Sequence, residues 1–169
     1  MWKAIALALA LLAAGAPGQE TETPETPETR LANVEKVLDD LHAAAAAADG
    51  ERYFDLFAPG AVFLGTDATE RWTIEEFKEY ALPRFEQGTG WTYHVRERHV
   101  DFARGRGVAW FDERLWNERY GATRGSGVLV RESGAWRIAQ YVLSFAVPND
   151  KAREVVALID AKDEAGDGR

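Results

Sequence analysis

Two acids stand side by side in an aromatic segment, Trp110-Phe-Asp-Glu-Arg-Leu-Trp116, and Asp112 and Glu113 are the chain's best candidates for acid/base catalysis. Such chemistry needs a carboxylate held in a largely apolar pocket, where desolvation moves its pKa toward neutrality. Side chains alternate across a strand, so only one of the two can face inward. The face holding Phe111, Glu113 and Leu115 is the more apolar, which makes Glu113 the expected pocket acid. Trp110, Asp112, Arg114 and Trp116 share the other face, which suits contact between two copies. A bulge would exchange the two assignments. The competing reading is an ion pair between the buried acid and Arg114, Arg124 or Arg71 that fixes the sheet.

Other reactive residue types offer less. His42 lies beside the apolar stripe of a helix, the usual place of a satisfied edge-of-core side chain. His94 and His99 are five apart, so along an unbroken strand they point to opposite faces and cannot share a metal. No metal site or cofactor is therefore expected. Ser126 lies in Gly-Ser-Gly within a strand, not on a strand-to-helix elbow, and no histidine or acid has a diagnostic spacing from it.

The elements that must position these groups are legible from Leu31 onward. Leu31, Val34, Leu38, Leu41 and Ala45 recur at helical spacing, followed by an alanine run that Asp49-Gly50 stops. A short helix over 51–58 offers Tyr53, Phe54 and Phe57 before Pro59-Gly60 breaks it, and 61–64 reads as a buried strand. Thr73-Ile-Glu-Glu76 is a capping box opening a third helix, in which Pro83 predicts a kink or break. Aromatic and β-branched residues mark strands over 91–103, 108–119, 123–132 and 135–147, joined by the turns Arg104-Gly-Arg-Gly107 and Ser133-Gly134. Asn149-Asp150 caps a last helix whose apolar side is Val155, Val156 and Ile159. Helices before a run of long strands indicate an α+β fold, a curved antiparallel sheet wrapped on the N-terminal helices and enclosing a pocket.

Composition narrows the function. The 169 residues carry a formal net charge of −8, which argues against a nucleic-acid partner. The absence of cysteine rules out disulfides and thiolate chemistry. Met1-Trp-Lys3, the apolar run 4–14 and the small residues 15–18 have the plan of a secretory signal, so an exported, periplasmic or secreted protein without stable membrane insertion is expected. Residues 19–29, with their Thr-Pro-Glu repeat, read as an acidic disordered linker. The domain then spans 30–150, and a C-terminal helix with a frayed tail spans 151–169.

Four stretches together resemble the nuclear transport factor 2-like superfamily, in its SnoaL-like branch. They are Asp49-Gly50 through Tyr53, Phe54 and Phe57 to Ala61-Val-Phe63; the run 63–73; Ala109-Trp-Phe-Asp-Glu113 with Arg124-Gly-Ser-Gly-Val128; and Gly134-Ala-Trp-Arg-Ile138 through Gln140, Tyr141 and Ser144 to Pro148-Asn-Asp150. The resemblance implies a cone-shaped fold with a cavity between sheet and helices, frequently dimeric, but not one chemistry. In the ketosteroid isomerase branch the base aspartate follows the first strand. Gly65 stands there in this chain, and Asp67 is better read as a turn residue.

Relatives often line the cavity with the last-strand face that would hold Ile138, Gln140, Val142 and Ser144. The leading expectation is thus a cavity that binds a small, mainly apolar molecule. Phe63 and Trp72 would be its walls, and Glu113, Gln140 and Ser144 its orienting polar groups. One alternative is an isomerase or hydratase-lyase with Glu113 or Asp112 as base and Arg71 or Arg124 stabilising negative charge. Another is an assembly module, a homodimer through the outer sheet face.

Overall fold

The structure, a computed structural model, describes residues 25–166. The expected signal and the first part of the linker lie outside the described residues. Helix α1 spans Pro27–Ala46, so residues 27–29 of the expected linker are its first turn. Thr26 caps it by accepting from the Thr29 amide, and Pro27, whose amide would be unsatisfied there anyway, sits in that turn. Val34, Leu38, Leu41 and Ala45 are buried as their spacing requires, while Leu31 is exposed. The left-handed residue after α1 is Ala48, φ 54°, not Gly50. Gly50 instead opens α2, Gly50–Phe54, which Asp49 caps.

Strand β1, Phe57–Leu64, begins earlier than Pro59-Gly60 suggests. The chain passes these residues as an irregularity between Phe57 and Val62, with Gly60 at φ 72°. Strand β2, Arg71–Thr73, leads into α3, Ile74–Glu86. The capping box is formed: the Glu76 amide donates to the Thr73 hydroxyl, and the Thr73 amide donates to the Glu76 carboxylate at 2.8 Å. Helix α3 runs through Pro83 and ends one turn later, so the expected break is absent.

Four longer strands follow: β3 His94–Phe102, β4 Val108–Asn117, β5 Gly121–Glu132 and β6 Ala135–Phe145. The six strands form one sheet in the order β2-β1-β6-β5-β4-β3. Only the β1–β6 pair is parallel. Helices α1 and α3 pack against the sheet, and Val34, Leu38, Phe77, Phe111, Leu129 and Ile138 belong to the core. The outer face keeps Trp110 46% and Trp116 38% exposed. Helix α4, Ala152–Gly166, leaves Val156 and Ile159 of its expected apolar side exposed among the described residues, with Leu158 beside them, while Val155 is half-buried.

One irregularity decides what the last strand offers the interior. Leu129 pairs with Ile138, yet the adjacent Val128 pairs with Gln140, which leaves Ala139 as an extra residue in β6. A single inserted residue inverts the alternation beyond it. Trp136 and Ile138 face inward before the bulge, and Tyr141 and Leu143 after it. Gln140, Val142 and Ser144 therefore do not continue the Ile138 face, contrary to the expectation from simple alternation.

Candidate functional site

Along β4 the alternation is unbroken. Ala109, Phe111, Glu113 and Leu115 are buried, and Trp110, Asp112, Arg114 and Trp116 are exposed. Asp112 is thus excluded from the interior by the pleat of its own strand, while Glu113 is fully buried. The partners of Glu113 are not the arginines anticipated for it. Arg98, directly across on β3, donates from Nε to Oε2 at 2.9 Å. The Nε2 of His42, brought in by α1, lies 2.7 Å from Oε1, and the Tyr141 hydroxyl donates to the same oxygen at 3.2 Å. Arg98 reaches back to α1 as well, donating from Nη1 to Asp39 Oδ1 at 2.8 Å. Asp39 and His42 are three residues apart on α1, so one edge of that helix serves both ends of the cluster.

Gly125 makes room for this cluster. It faces Glu113 across the β4–β5 ladder, and a Cβ there would lie 2.5 Å from the Tyr141 hydroxyl and 2.9 Å from Glu113 Oε1. The Gly-Ser-Gly motif is accordingly a space requirement of the interior, and Ser126 pairs opposite Asp112 in the same ladder.

Charge in the cluster is balanced locally. Burial alone would raise the Glu113 carboxyl, but the hydrogen bond and charge of His42 and the charge of Arg98 outweigh it and hold the group below its ordinary value. An ionised carboxylate only accepts, so His42 Nε2 carries the proton and the ring is pinned in orientation. Burial, and after it the charge of Glu113, lifts the Tyr141 hydroxyl well above the ordinary phenol range, with Tyr53 and Tyr93 adding to the shift. Burial also raises Tyr53, and lifts Tyr93 to about 12. These three hydroxyls are therefore protonated donors across the physiological range.

A cleft of about 560 Å³ opens beside this cluster. Phe63, Trp72, Phe77, Tyr80, Trp91 and Tyr120 supply its aromatic walls. Trp72 lies near-parallel to Phe77, 11° between planes, and Phe77 lies 3.9 Å from Phe63, so three rings form one stacked wall. Phe63, Trp91, Tyr93 and Leu143 also border a smaller recess of about 20 Å³, edged by His42, Tyr53 and Tyr141. The cleft and the recess thus share walls, and the recess leads to His42 and, behind it, Glu113.

Phe63 and Trp72, expected as pocket walls, line the cleft. The other expected ligand contacts do not. Arg71 is exposed at the sheet edge on β2 and lies outside the cleft lining. Arg124 points to the outer face, where it lines a separate surface hollow with Arg96 and Trp116. Ser144 is exposed, paired with Arg124, and the Ala139 bulge turns Gln140 away from the interior with it.

Two participants escape a sequence reading. Arg98 becomes the partner of Glu113 only through the β3–β4 register. Glu70 lies across the turn from Gly65, whose amide donates to the Glu70 carbonyl at 2.8 Å. The space a side chain at Gly65 would fill is taken by the Glu70 carboxylate, which lines the cleft. Asp67 accepts from the Thr69 amide at 2.8 Å and the Thr69 hydroxyl at 2.6 Å, the work of a turn residue.

Comparison with known proteins agrees with this geometry. A family model described as a SnoaL-like domain matches residues 34–148, and the chain belongs to that family. No curated protein matches it. Among solved structures, a domain of unknown function with a cystatin-like fold from Nostoc punctiforme superposes with a TM-score of 0.65 at 13% identity, covering 84% of this chain and 95% of that one. A candidate dehydratase of the nuclear transport factor 2-like family from Streptomyces avermitilis gives 0.61 at 13% identity, covering 73% and 100%. A protein of unknown function with a nuclear transport factor 2-like fold from Pseudomonas putida gives 0.58 at 12% identity, covering 71% and 89%. At such identities the likeness is one of fold.

Proposed function

We propose that this SnoaL-like domain protein binds a flat, mainly apolar small molecule in the cleft between sheet and helices, and that it does so after export. The observation that carries the reading is the cleft itself. Its volume of about 560 Å³ falls in the range of small-molecule sites, and its lining joins aromatic rings such as Phe63, Trp72 and Phe77 to polar residues that include Glu70, Arg84 and Arg119. A planar ligand laid against Trp72 and its stacked neighbours gains both buried apolar area and ring–ring contact. The charged start, apolar run and small-residue exit of residues 1–18 support export.

Glu113 is a poor proton acceptor in this setting. It is fully buried and held ionised by Arg98 and His42, whereas a carboxylate base needs its pKa moved toward neutrality. That weighs against the isomerase scheme in which Glu113 is the base, and favours binding.

Native mass spectrometry of the protein purified under gentle conditions tests the proposal. The expected result is a population heavier than the polypeptide, with the extra mass lost in Trp72→Ala. A spectrum of bare polypeptide, unchanged on adding planar aromatic compounds, would overturn it.

A further inference from the structure

The outer face of the sheet carries a hollow of about 190 Å³ that shares no lining residue with the cleft. Three arginines line it, one from each of three neighbouring strands: Arg96 from β3, Arg114 from β4 and Arg124 from β5. Trp116 stands beside them, and the small Ala122 and Ala146 leave the space open. No acid is among the described residues that line it, in a chain whose formal net charge is −8.

The strand register brings the three together. Arg114 and Arg124 are directly opposite each other in the β4–β5 ladder. Arg96 is the extra residue of a bulge in β3: Val95 pairs with Leu115 and Glu97 with Arg114, so Arg96 and Glu97 together oppose Arg114. Like charges set opposite each other destabilise a sheet, and local acids offset little of this here. Glu97 accepts from Arg114 Nε at 2.8 Å. Among the described residues neither Arg96 nor Arg124 has an ion pair, and Asp112, on the same face of β4, pairs with none of the three. Three guanidiniums against one carboxylate leave a local charge of about +2. A phosphate monoester carries about −1.5 to −2 at neutral pH.

We propose that this hollow is a second binding site, taking the phosphate group of a small soluble phosphate monoester between Arg96, Arg114 and Arg124, with the esterified group against Trp116. A guanidinium is a planar fork of donors that matches two oxygens of a phosphate. Arg96 and Arg124 have no acid to satisfy, and Arg114 gives only Nε to Glu97. The exposed indole of Trp116 offers an apolar surface to the organic part. A carboxylate brings one charge and two oxygens, too little for three guanidiniums.

Calorimetric titration of the full chain at low ionic strength with phenyl phosphate and, as a matched monoanion, benzoate tests the assignment. The wild-type protein should bind phenyl phosphate with a Kd of about 0.1–1 mM, and benzoate at least about 10-fold more weakly. Arg96→Gln and Arg124→Gln should each weaken phenyl phosphate about 10-fold. Both side chains are exposed, and removing one of several opposed like charges leaves the unliganded protein at least as stable as the wild type. Trp72→Ala, in the cleft, should leave phenyl phosphate binding unchanged, which separates the fate of this site from that of the cleft. Absence of binding, equal affinity for benzoate, or binding that survives both arginine variants would overturn the proposal. A dimer in light scattering that Arg124→Gln dissociates would overturn it too, by showing the hollow filled by a second copy.

Discussion

Glu113→Gln should lower the unfolding free energy by about 3–5 kcal/mol at neutral pH, the cost of breaking a buried ion pair by removing one partner. The substitution is nearly isosteric, so packing changes little and the loss is electrostatic. Among the described residues, Arg98 would keep only Asp39, an exposed acid, as its counter-charge, and its Nη2 is already buried there without a hydrogen-bond partner. The dependence on pH has a definite sign. The Glu113 carboxyl is lower in the folded protein than its ordinary value of 4.5, so its stabilisation is complete above that value and is lost as pH falls through the folded pKa. The gap between wild type and Glu113→Gln should therefore be full at pH 7 and close on acidification below about 4.5. Urea unfolding at several pH values measures this directly. A difference below about 1 kcal/mol at pH 7 would mean that the cluster is not the interior anchor described above.

Gly125→Ala should damage the interior cluster directly. Both groups that the new methyl would meet, the Tyr141 hydroxyl and the Glu113 carboxylate, are buried and mutually bonded, so neither can move aside cheaply. Overpacking of this kind typically costs about 1–3 kcal/mol, and loss of the Tyr141–Glu113 hydrogen bond adds about 1 kcal/mol. A fall in stability of about 2–4 kcal/mol is expected, measured by the same unfolding experiment. Helix propensity plays no part and Gly125 does not need a left-handed conformation, so a neutral result would show that the cluster repacks freely.

The sequence tells which side of β4 is buried because the period of two runs unbroken from Ala109 to Trp116. Glu113 was thus readable as the inward acid and Asp112 as its outward neighbour. The face of β6 was not readable, because the extra residue at Ala139 leaves no mark in composition: an alanine fits a bulge and a regular strand alike. That one residue moved Gln140 and Ser144 off the interior and brought Tyr141 and Leu143 in. The partners of Glu113 were hidden for a different reason. Arg98 and His42 lie 15 and 71 residues from it along the chain, and only the β3–β4 register and the docking of α1 bring them together. Glu70 leaves no signal in the sequence because its role depends on an absent side chain, that of Gly65. Local pattern shows which face a residue occupies, whereas identifying its partner requires the tertiary pairing.

The claim on which this account turns is that the aromatic cleft is a ligand site continuous with the His42 recess. Fluorescence titration with a planar apolar dye tests it most directly, comparing the wild-type chain with Leu143→Trp, which places an indole where the two spaces share a wall. Saturable one-site binding by the wild type, weakened about 10-fold or more in the variant at unchanged fold, is the predicted result. Absence of saturable binding, or equal affinity in both proteins, would contradict it.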